Sequence, residues 1–238
     1  MTQGGETNGS GTERRSALLV LSYYGVYMAY HFRRPESDPM HWLGLVLLPF
    51  VVLYLFERRG GGRSVRHTLE SVGLRRGNLR TGVGWAIVLG LSISALMTFA
   101  SRKGPEVWDV LLSARALYML PIAFVFLLLT AAFTEEFFFR GVLQTRLTDW
   151  TRSRVAGVLI TAVLFGAYHI PYAYLKPSWP TYGDLGAAIP VAMWEGGLGG
   201  LILGAVFVFA KRNLVAAILV HALIDLLPAV ALIKFGGG

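Results

Sequence analysis

Two adjacent carboxylates and an arginine follow a long apolar stretch in the middle of the chain. They are Glu135, Glu136 and Arg140. A helix would place Glu136 and Arg140, four residues apart, on one face and allow an ion pair. Glu135 would point about 100° away, because one turn holds 3.6 residues. Two neighbouring carboxylates in a low-dielectric setting resist joint ionisation, which suits one of them to proton transfer. A solvated helix end at a membrane interface is the alternative interpretation.

Three further polar residues lie in or beside apolar segments. His221 and Asp225 are four residues apart in the last apolar segment. An Asp can orient a His or accept its proton, although a buried hydrogen-bonded pair that only fixes helix packing fits the spacing equally well. His169 precedes Ile170 and Pro171 and, taken alone, is typical of a histidine at a helix end.

Taken together, these groups are equipped for peptide-bond hydrolysis. A Glu and two His can activate a water as general bases, and an Arg or a protonated Asp can stabilise the oxyanion that forms when water attacks an amide. The chain contains no cysteine, which excludes a disulfide framework, a thiolate metal site and a cysteine nucleophile. The pattern therefore predicts a hydrolase that uses water directly.

Composition indicates the environment in which these groups work. Of the 238 residues, 54% are hydrophobic and 15% are charged, and the mean hydropathy is +0.54. Soluble domains carry about 25% charged residues, so this chain is predicted to be an integral membrane protein. Ionisable side chains at membrane depth are costly and tend to be functional.

The apolar segments predict an all-α, polytopic transmembrane bundle of seven to eight helices, since about 20 apolar residues cross a bilayer. The candidate spans are Ala17 to Phe32, Trp42 to Phe56, Gly82 to Ala100, Ala116 to Phe139, Val155 to Ile170, Asp184 to Trp194, Gly197 to Ala210 and Leu214 to Ile233. The sixth is too short to cross alone and either re-enters or continues into the seventh. Gly196, Gly200 and Gly204 form a stripe that lets another helix approach closely.

The distribution of positive charge predicts the orientation. Seven of the 22 Lys and Arg residues lie in one loop, at Arg58, Arg59, Arg63, Arg66, Arg75, Arg76 and Arg80. Such clusters hold a loop in the cytoplasm and contact anionic lipid, which explains the net charge of +8 without nucleic-acid binding. The N-terminus is thus predicted to be cytoplasmic. The expected division is a disordered tail at 1–16, N-terminal transmembrane helices at 17–115 and a catalytic region at 116–238.

Three motifs resemble the CPBP (CAAX-protease and bacteriocin-processing) family of intramembrane proteases. Glu135 to Arg140 fits the EExxxR motif of that family, Phe165 to His169 fits FxxxH, and His221 to Asp225 fits the third motif, HxxxN or HxxxD. The order and spacing of the motifs also fit. The resemblance covers about half of the chain, from Ala116 to Leu227.

The resemblance implies an eight-helix bundle with a membrane-embedded site and a role for each motif residue. Glu135 is expected to activate the water with His169 as its partner. Glu136 and Arg140 are expected to shape the site electrostatically, and His221 and Asp225 to stabilise the oxyanion. The prenyl endopeptidases of the family usually have Asn at the position of Asp225. An ionised Asp cannot donate a hydrogen bond, so Asp225 must be protonated or must instead orient His221.

The cofactor prediction is that none is required. Glu135, His169, His221 and Asp225 would make a plausible set of zinc ligands, and the family has been classed with metalloproteases. No HExxH motif is present, however, and a glutamate-activated water without obligatory metal is favoured.

The predicted function is therefore a glutamic-type intramembrane endopeptidase. It is expected to cut near the C-terminus of a membrane-bound protein or peptide, which could be lipidated or carry a C-terminal sorting segment. Membrane lipids are further predicted partners, and the multi-pass protein is expected in the cell membrane. The alternative is a non-catalytic scaffold or bacteriocin-immunity protein of the same fold. A small transporter fits less well, because no inverted repeat is visible.

Overall fold

The computed structural model of the protein describes residues 6–35, 41–75, 79–100 and 104–232. Across these ranges the regular elements are helices and none is a strand, which confirms the all-α fold class. Predictions for residues 1–5, 36–40, 76–78, 101–103 and 233–238, which include Arg76 and the end of the last span, lie outside the described residues.

Four short π-helical segments interrupt the α-helices. In a π-helix each N–H bonds five residues back instead of four. In chain order the elements are α1 (Glu6–His31), π1 (Trp42–Leu47), α2 (Leu48–Gly61), α3 (Val65–Ser71), α4 (Leu79–Ala100), α5 (Gly104–Leu111), α6 (Ala116–Leu127), π2 (Leu128–Ala132), α7 (Phe133–Glu136), π3 (Phe137–Gln144), α8 (Thr145–Thr151), α9 (Arg154–Leu175), α10 (Leu185–Ala192), π4 (Met193–Gly197), α11 (Leu198–Phe209) and α12 (Leu214–Leu232). Helix α1 therefore begins inside the segment that the sequence assigned to a polar tail.

Several helices are long and apolar enough to cross a bilayer. Among the described residues, four meet this standard: Val83–Ala100, Ala116–Thr151, Arg154–Leu175 and Leu185–Phe209. A shorter apolar helix covers Leu214–Val230. These helices confirm a polytopic membrane protein. The membrane crossings predicted for Ala17 to Phe32 and Trp42 to Phe56 stay predictions.

Two predicted helix ends are wrong, and one open question is settled. The fourth predicted span continues past Phe139 to Thr151, because the polar residues after Phe139 are buried inside the protein rather than solvated. The fifth continues past His169 to Leu175 with Pro171 inside the helix. The predicted sixth and seventh spans are one helix, 185–209.

Short polar side chains start three of the helices. Ser64 accepts a hydrogen bond from the amide of His67 at the start of α3. Ser153 begins α9 by accepting from Ala156, and Asp184 begins α10 by accepting from Ala187. Each side chain satisfies one of the amides that a helix leaves without an internal partner.

By its internal contacts the chain divides into two compact units. Unit 1 comprises residues 1–75 and 137–214, and unit 2 comprises residues 76–136 and 215–238. The predicted boundary at 115/116 does not coincide with this division, and the three predicted domains stay a prediction about functional organisation. The long helix 116–151 contributes its first part to unit 2 and its second part to unit 1.

Close helix packing in unit 1 depends on the glycine stripe. A Cβ added at Gly200 would lie 2.9 Å from the Cα of Ala162 on α9. One added at Gly204 would lie 2.9 Å from the side-chain oxygen of Gln144 in π3. Small residues at a membrane interface let helix backbones approach, so the predicted role of the stripe is confirmed.

Unit 2 is built around an apolar cluster that joins α6 to α12. Its buried members are Met119, Ala123, Leu223, Leu226 and Val230. On α4, a Cβ added at Gly90 would lie 2.6 Å from the Cβ of Leu223. The Ser94 hydroxyl also accepts from the amide of Leu227 at 3.3 Å, just before Pro228 in the helix. These contacts fix α12, which carries two of the predicted site residues.

The stripe yields a prediction about stability. Gly200→Ala should lower the free energy of unfolding by about 1–3 kcal/mol, because the new methyl group meets backbone that cannot move aside. Gly199→Ala, where nothing lies within 4 Å of an added Cβ, is the matched control. It should be neutral or stabilising by up to ~1 kcal/mol. Thermal denaturation of both variants in detergent measures the difference, and equal midpoints would contradict the packing argument.

Candidate active site

A buried hydrogen bond joins a motif glutamate to a motif histidine in unit 2. Nδ1 of His221 on α12 lies 2.8 Å from Oε1 of Glu136 on α7. Glu136 is 0% exposed and His221 is 6% exposed. An ionised carboxylate can only accept hydrogen bonds. With Glu136 ionised, Nδ1 of His221 therefore carries a proton and donates the hydrogen bond to Glu136. The pair fixes the ring orientation of His221.

The other nitrogen of the same ring lies near two more carboxylates. Nε2 of His221 is 3.3 Å from Oδ2 of Asp225 and 3.9 Å from Oε2 of Glu135. The Asp225 side chain is 39% exposed, whereas that of Glu135 is 11% exposed. Four of the six predicted site residues therefore form one cluster in unit 2, in which three carboxylates surround an imidazole.

The helix that carries the two glutamates departs from α-helical geometry on both sides of them. The four residues of α7, Phe133–Glu136, lie between the π-helical segments π2 and π3. The Thr134 hydroxyl donates to the carbonyl oxygens of Thr130 and Ala131, where the helix changes geometry. π-helical turns inside α-helices occur frequently at functional sites. The expectation that Glu136 and Arg140 share one face assumed 3.6 residues per turn, which does not apply from Phe137 onward.

The remaining two predicted residues belong to unit 1. Arg140 is fully buried, with its guanidinium carbon 4.4 Å from the ring centre of Phe165 and Nη2 3.4 Å from the carbonyl oxygen of Gly200. A cation over an aromatic face is stabilised by the ring quadrupole. This contact links the arginine of the first motif to the phenylalanine of the second.

His169 is oriented by its own helix. Its Nδ1 lies 2.8 Å from the carbonyl oxygen of Phe165, one turn earlier in α9. A carbonyl oxygen can only accept, so Nδ1 carries the proton and the neutral ring has its lone pair on Nε2. Gly196 faces the ring, since an added Cβ would lie 2.6 Å from Nδ1. The glycine stripe and the second motif therefore meet at His169.

Aromatic and histidine rings that the sequence did not single out gather near His169 in unit 1. His31 stacks on Tyr168 with ring centres 4.8 Å apart, and its ring centre is 4.6 Å from that of Tyr172. Nε2 of His41 lies 2.5 Å from the Tyr172 hydroxyl. The ring centres of Tyr172 and His169 are 6.3 Å apart.

One sequence signal could have indicated this group of rings. Tyr168 and Tyr172 are four residues apart on the helix that carries the FxxxH motif, and they flank its histidine. His31 and His41, in contrast, reach them from the first helix and from the start of the next element, which no local pattern reveals. His67, the remaining histidine of the chain, is exposed in α3.

No metal centre is evident in the described part of the chain. Within residues 6–35, 41–75, 79–100 and 104–232, no group of three or more His, Asp or Glu side chains is arranged to hold a metal ion. The suggested ligand set of Glu135, His169, His221 and Asp225 is thus not arranged as a metal centre among these residues. Whether the protein needs one stays a prediction.

Comparison with known proteins confirms the resemblance suggested by the motifs. The family model described as Type II CAAX prenyl endopeptidase Rce1-like matches residues 115–227, just under half of the chain. The match spans all six predicted site residues. No curated protein matches the chain, and no solved structure does.

The buried pair yields a prediction about stability. His221→Leu should lower the free energy of unfolding by about 3–5 kcal/mol, because it removes a hydrogen-bond partner of a fully buried carboxylate. Asp225→Asn, at a position more than a third exposed, should cost less than about 1 kcal/mol. Denaturation midpoints of both variants in the same detergent test this. Equal losses would show that the Glu136 contact is not the one that holds α12.

Proposed function

Because residues 115–227 match the type II CAAX prenyl endopeptidase family, we propose that the protein is an intramembrane endopeptidase that hydrolyses its substrate with an activated water. Membership of this family indicates a CAAX-type protease in the membrane with a membrane-associated protein as substrate. The proposal adds the mechanism and the residues. Its main support is the cluster of Glu135, Glu136, His221 and Asp225 around one imidazole ring.

The buried bond between Glu136 and His221 suits His221 to polarise a reacting group. A carboxylate on one ring nitrogen holds the imidazole in a single orientation, as the Asp of a catalytic triad does for its His. Held in this way, Nε2 of His221 faces Glu135 and Asp225. When both nitrogens carry protons, Nδ1–H donates to Glu136 and Nε2–H can donate to an oxyanion.

Glu135 is the proposed general base. The oxygen of a water forms a bond to the carbonyl carbon of the scissile amide while its proton passes to the Glu135 carboxylate. The resulting oxyanion accepts a hydrogen bond from His221. The carbon–nitrogen bond then breaks, and the proton held by Glu135 passes to the departing amine nitrogen. General acid–base catalysis of this kind contributes about 10²–10⁴-fold to a rate.

Asp225 has a proposed role that differs from that of the usual asparagine. Its carboxylate lies 3.3 Å from Nε2 of His221, a distance that suits a group that orients the ring. This favours orientation of His221 over direct donation to the oxyanion. Asp225 is also the most exposed of the three carboxylates around the ring.

His169 and Arg140 keep the roles implied by their motifs. His169 is proposed as the partner of Glu135 in water activation, and its Nδ1–H bond to Phe165 leaves Nε2 as the basic nitrogen. Arg140 is proposed to supply a fixed positive charge, held by Phe165 and the carbonyl of Gly200.

The proposed substrate is a membrane-associated protein whose C-terminus is lipidated or carries a sorting signal. Residence in the cell membrane with a cytoplasmic N-terminus is part of the same proposal.

The water-activation role makes a direct prediction. In host cells that carry Glu135→Gln instead of wild type, particular membrane-protein C-termini should become longer, because the base is lost while side-chain size is kept. Mass spectrometry of C-terminal peptides from membrane fractions measures this and identifies the substrates. Glu195→Gln, which changes a glutamate in the 185–209 helix outside the motifs, is the matched control and should leave the peptides unchanged.

The same comparison separates a protease from a scaffold. If both variants reach the membrane at wild-type levels and their C-terminal peptides coincide with those of wild type, catalysis by Glu135 is refuted. The non-catalytic scaffold or immunity reading then stands in its place.

The contact between Gly196 and His169 makes a second prediction. Gly196→Ala should displace the His169 ring and lower processing of the same substrates about 10- to 100-fold, since a shift near 1 Å in a catalytic group can cost that much. Gly199→Ala is the control on the same helix and should process normally. Quantification of uncleaved substrate checks this, and equal processing by both variants would remove His169 from the proposed site.

A further inference from the structure

A cavity in unit 1 is lined by more guanidinium groups than carboxylates. Its volume is about 640 Å³. Five arginines line it, namely Arg15, Arg59, Arg63, Arg146 and Arg212. Three carboxylates line it, those of Glu13, Glu57 and Asp149. None of these residues belongs to the six assigned to the protease site.

The base of this cavity is built from buried, fixed groups. Arg146 is 5% exposed, and its Nη2 lies 2.9 Å from Oε1 of Glu57 and 2.7 Å from the hydroxyl of Ser71. The second carboxylate oxygen of Glu57 accepts from the hydroxyl of Thr68 at 2.9 Å. A charge pair with this many hydrogen bonds is held in place. The cavity is therefore preorganised rather than a gap between mobile side chains.

A second ion pair borders the cavity at an unusual backbone position. Arg212 lies between α11 and α12, and its Nη2 is 2.8 Å from Oδ1 of Asp149. Lys211 and Arg212 have φ angles of 56° and 60°, in the left-handed region that residues with a Cβ seldom adopt. The surrounding structure must hold such residues in place, and backbone strain of this kind is concentrated at functional sites.

These two pairs leave a positive excess. Glu57 pairs with Arg146 at 2.9 Å and with Arg63 at 3.9 Å, and Asp149 pairs with Arg212. The five guanidinium groups of the lining therefore share three carboxylates. The hydroxyls of Thr12 and Ser16 also line this space, whereas those of Ser71 and Thr145 donate to the carbonyl oxygens of Thr68 and Arg140. Guanidinium forks together with hydroxyls are the groups that bind the several oxygens of a phosphate.

We propose that this cavity binds a phosphate-bearing anion. Its volume, within the range of about 300–1,000 Å³ typical of ligand sites, accommodates a phosphate with an attached organic group. The lining comes from the first half of α1, the end of α2 and the turn after it, the end of α3, α8 and the turn before α12. The two sources of this chemistry are an anionic phospholipid and a soluble phosphate compound.

The chain provides a matched pair of variants for testing the site. Arg15→Gln/Arg59→Gln removes two charges that line the cavity. Arg14→Gln/Arg58→Gln removes two charges at the preceding positions, which are also exposed but do not line it. The four residues are not part of the proposed protease machinery, so the binding assay stands independently of the proposed function.

The experiment has one arm for each source. Purified full-length protein in phosphatidylcholine nanodiscs, with or without phosphatidylglycerol, is analysed by native mass spectrometry for retained lipid. The same protein in detergent is titrated with inorganic pyrophosphate and followed by thermal shift. Arg15→Gln/Arg59→Gln should weaken binding about 25-fold, since each basic residue near an anionic phosphate contributes about fivefold. The control variant Arg14→Gln/Arg58→Gln should change binding by less than about twofold.

Each outcome decides the proposal. If Arg15→Gln/Arg59→Gln, but not the control, loses binding of phosphatidylglycerol, the site is assigned to a lipid head group. If it loses binding of pyrophosphate instead, the site is assigned to a soluble phosphate compound. Absence of binding by wild type in both arms, or equal losses for the two double variants, overturns the proposal. If Arg15→Gln/Arg59→Gln fails to fold, the comparison is repeated with Arg63→Gln as the test variant. Arg66→Gln then serves as the control, because Arg66 is exposed, pairs with Glu70 and does not line the cavity.

Discussion

The constraint on which unit 2 depends is the high free energy of an ionised carboxylate in an apolar interior. Glu136 is completely buried, and burial of a charge without partners costs several kcal/mol. The hydrogen bond to His221 offsets that cost only if α12 lies in one register against α7. In that register the apolar cluster around Met119 and Leu226 packs together, and Gly90 lets α4 approach α12 closely. The polar pair thus specifies the register of α12, while the apolar contacts provide most of the buried area.

The sequence was sufficient to predict the helical class and the membrane environment, since both follow from apolar stretches too long for anything but helices in lipid. It also predicted the glycine stripe and the candidate residues, because their spacings matched known motifs. The helix ends were harder. Arg140 and His169 appeared to be terminal because polar residues and a proline follow them. Burial of those polar residues and the tolerance of Pro171 inside α9 are tertiary effects that no local window contains.

Long-range partners account for the rest of what could not be predicted. No pattern pairs Glu57 with Arg146, 89 residues later, or brings His31 against Tyr168. The sequence could not predict the π-helical segments on either side of α7, because tertiary contacts of the side chains determine the local hydrogen-bond pattern of the helix. Thr134, whose hydroxyl bonds back to the helix, is a residue whose role becomes evident only in the folded chain. Motif spacing therefore predicted the candidate reactive groups, whereas the contacts that hold them became evident only in the folded chain.

The glycine stripe has a consequence for how this protein can change over generations. At Gly196, Gly200 and Gly204 any replacement adds atoms, and the opposing surface is already occupied by His169, Ala162 and Gln144. A larger residue on one side can therefore be accepted only after a smaller one has appeared on the other. Drift at these positions should proceed in paired steps, so that homologues show covariation between each stripe position and the residue that it faces, even where neither is strictly invariant.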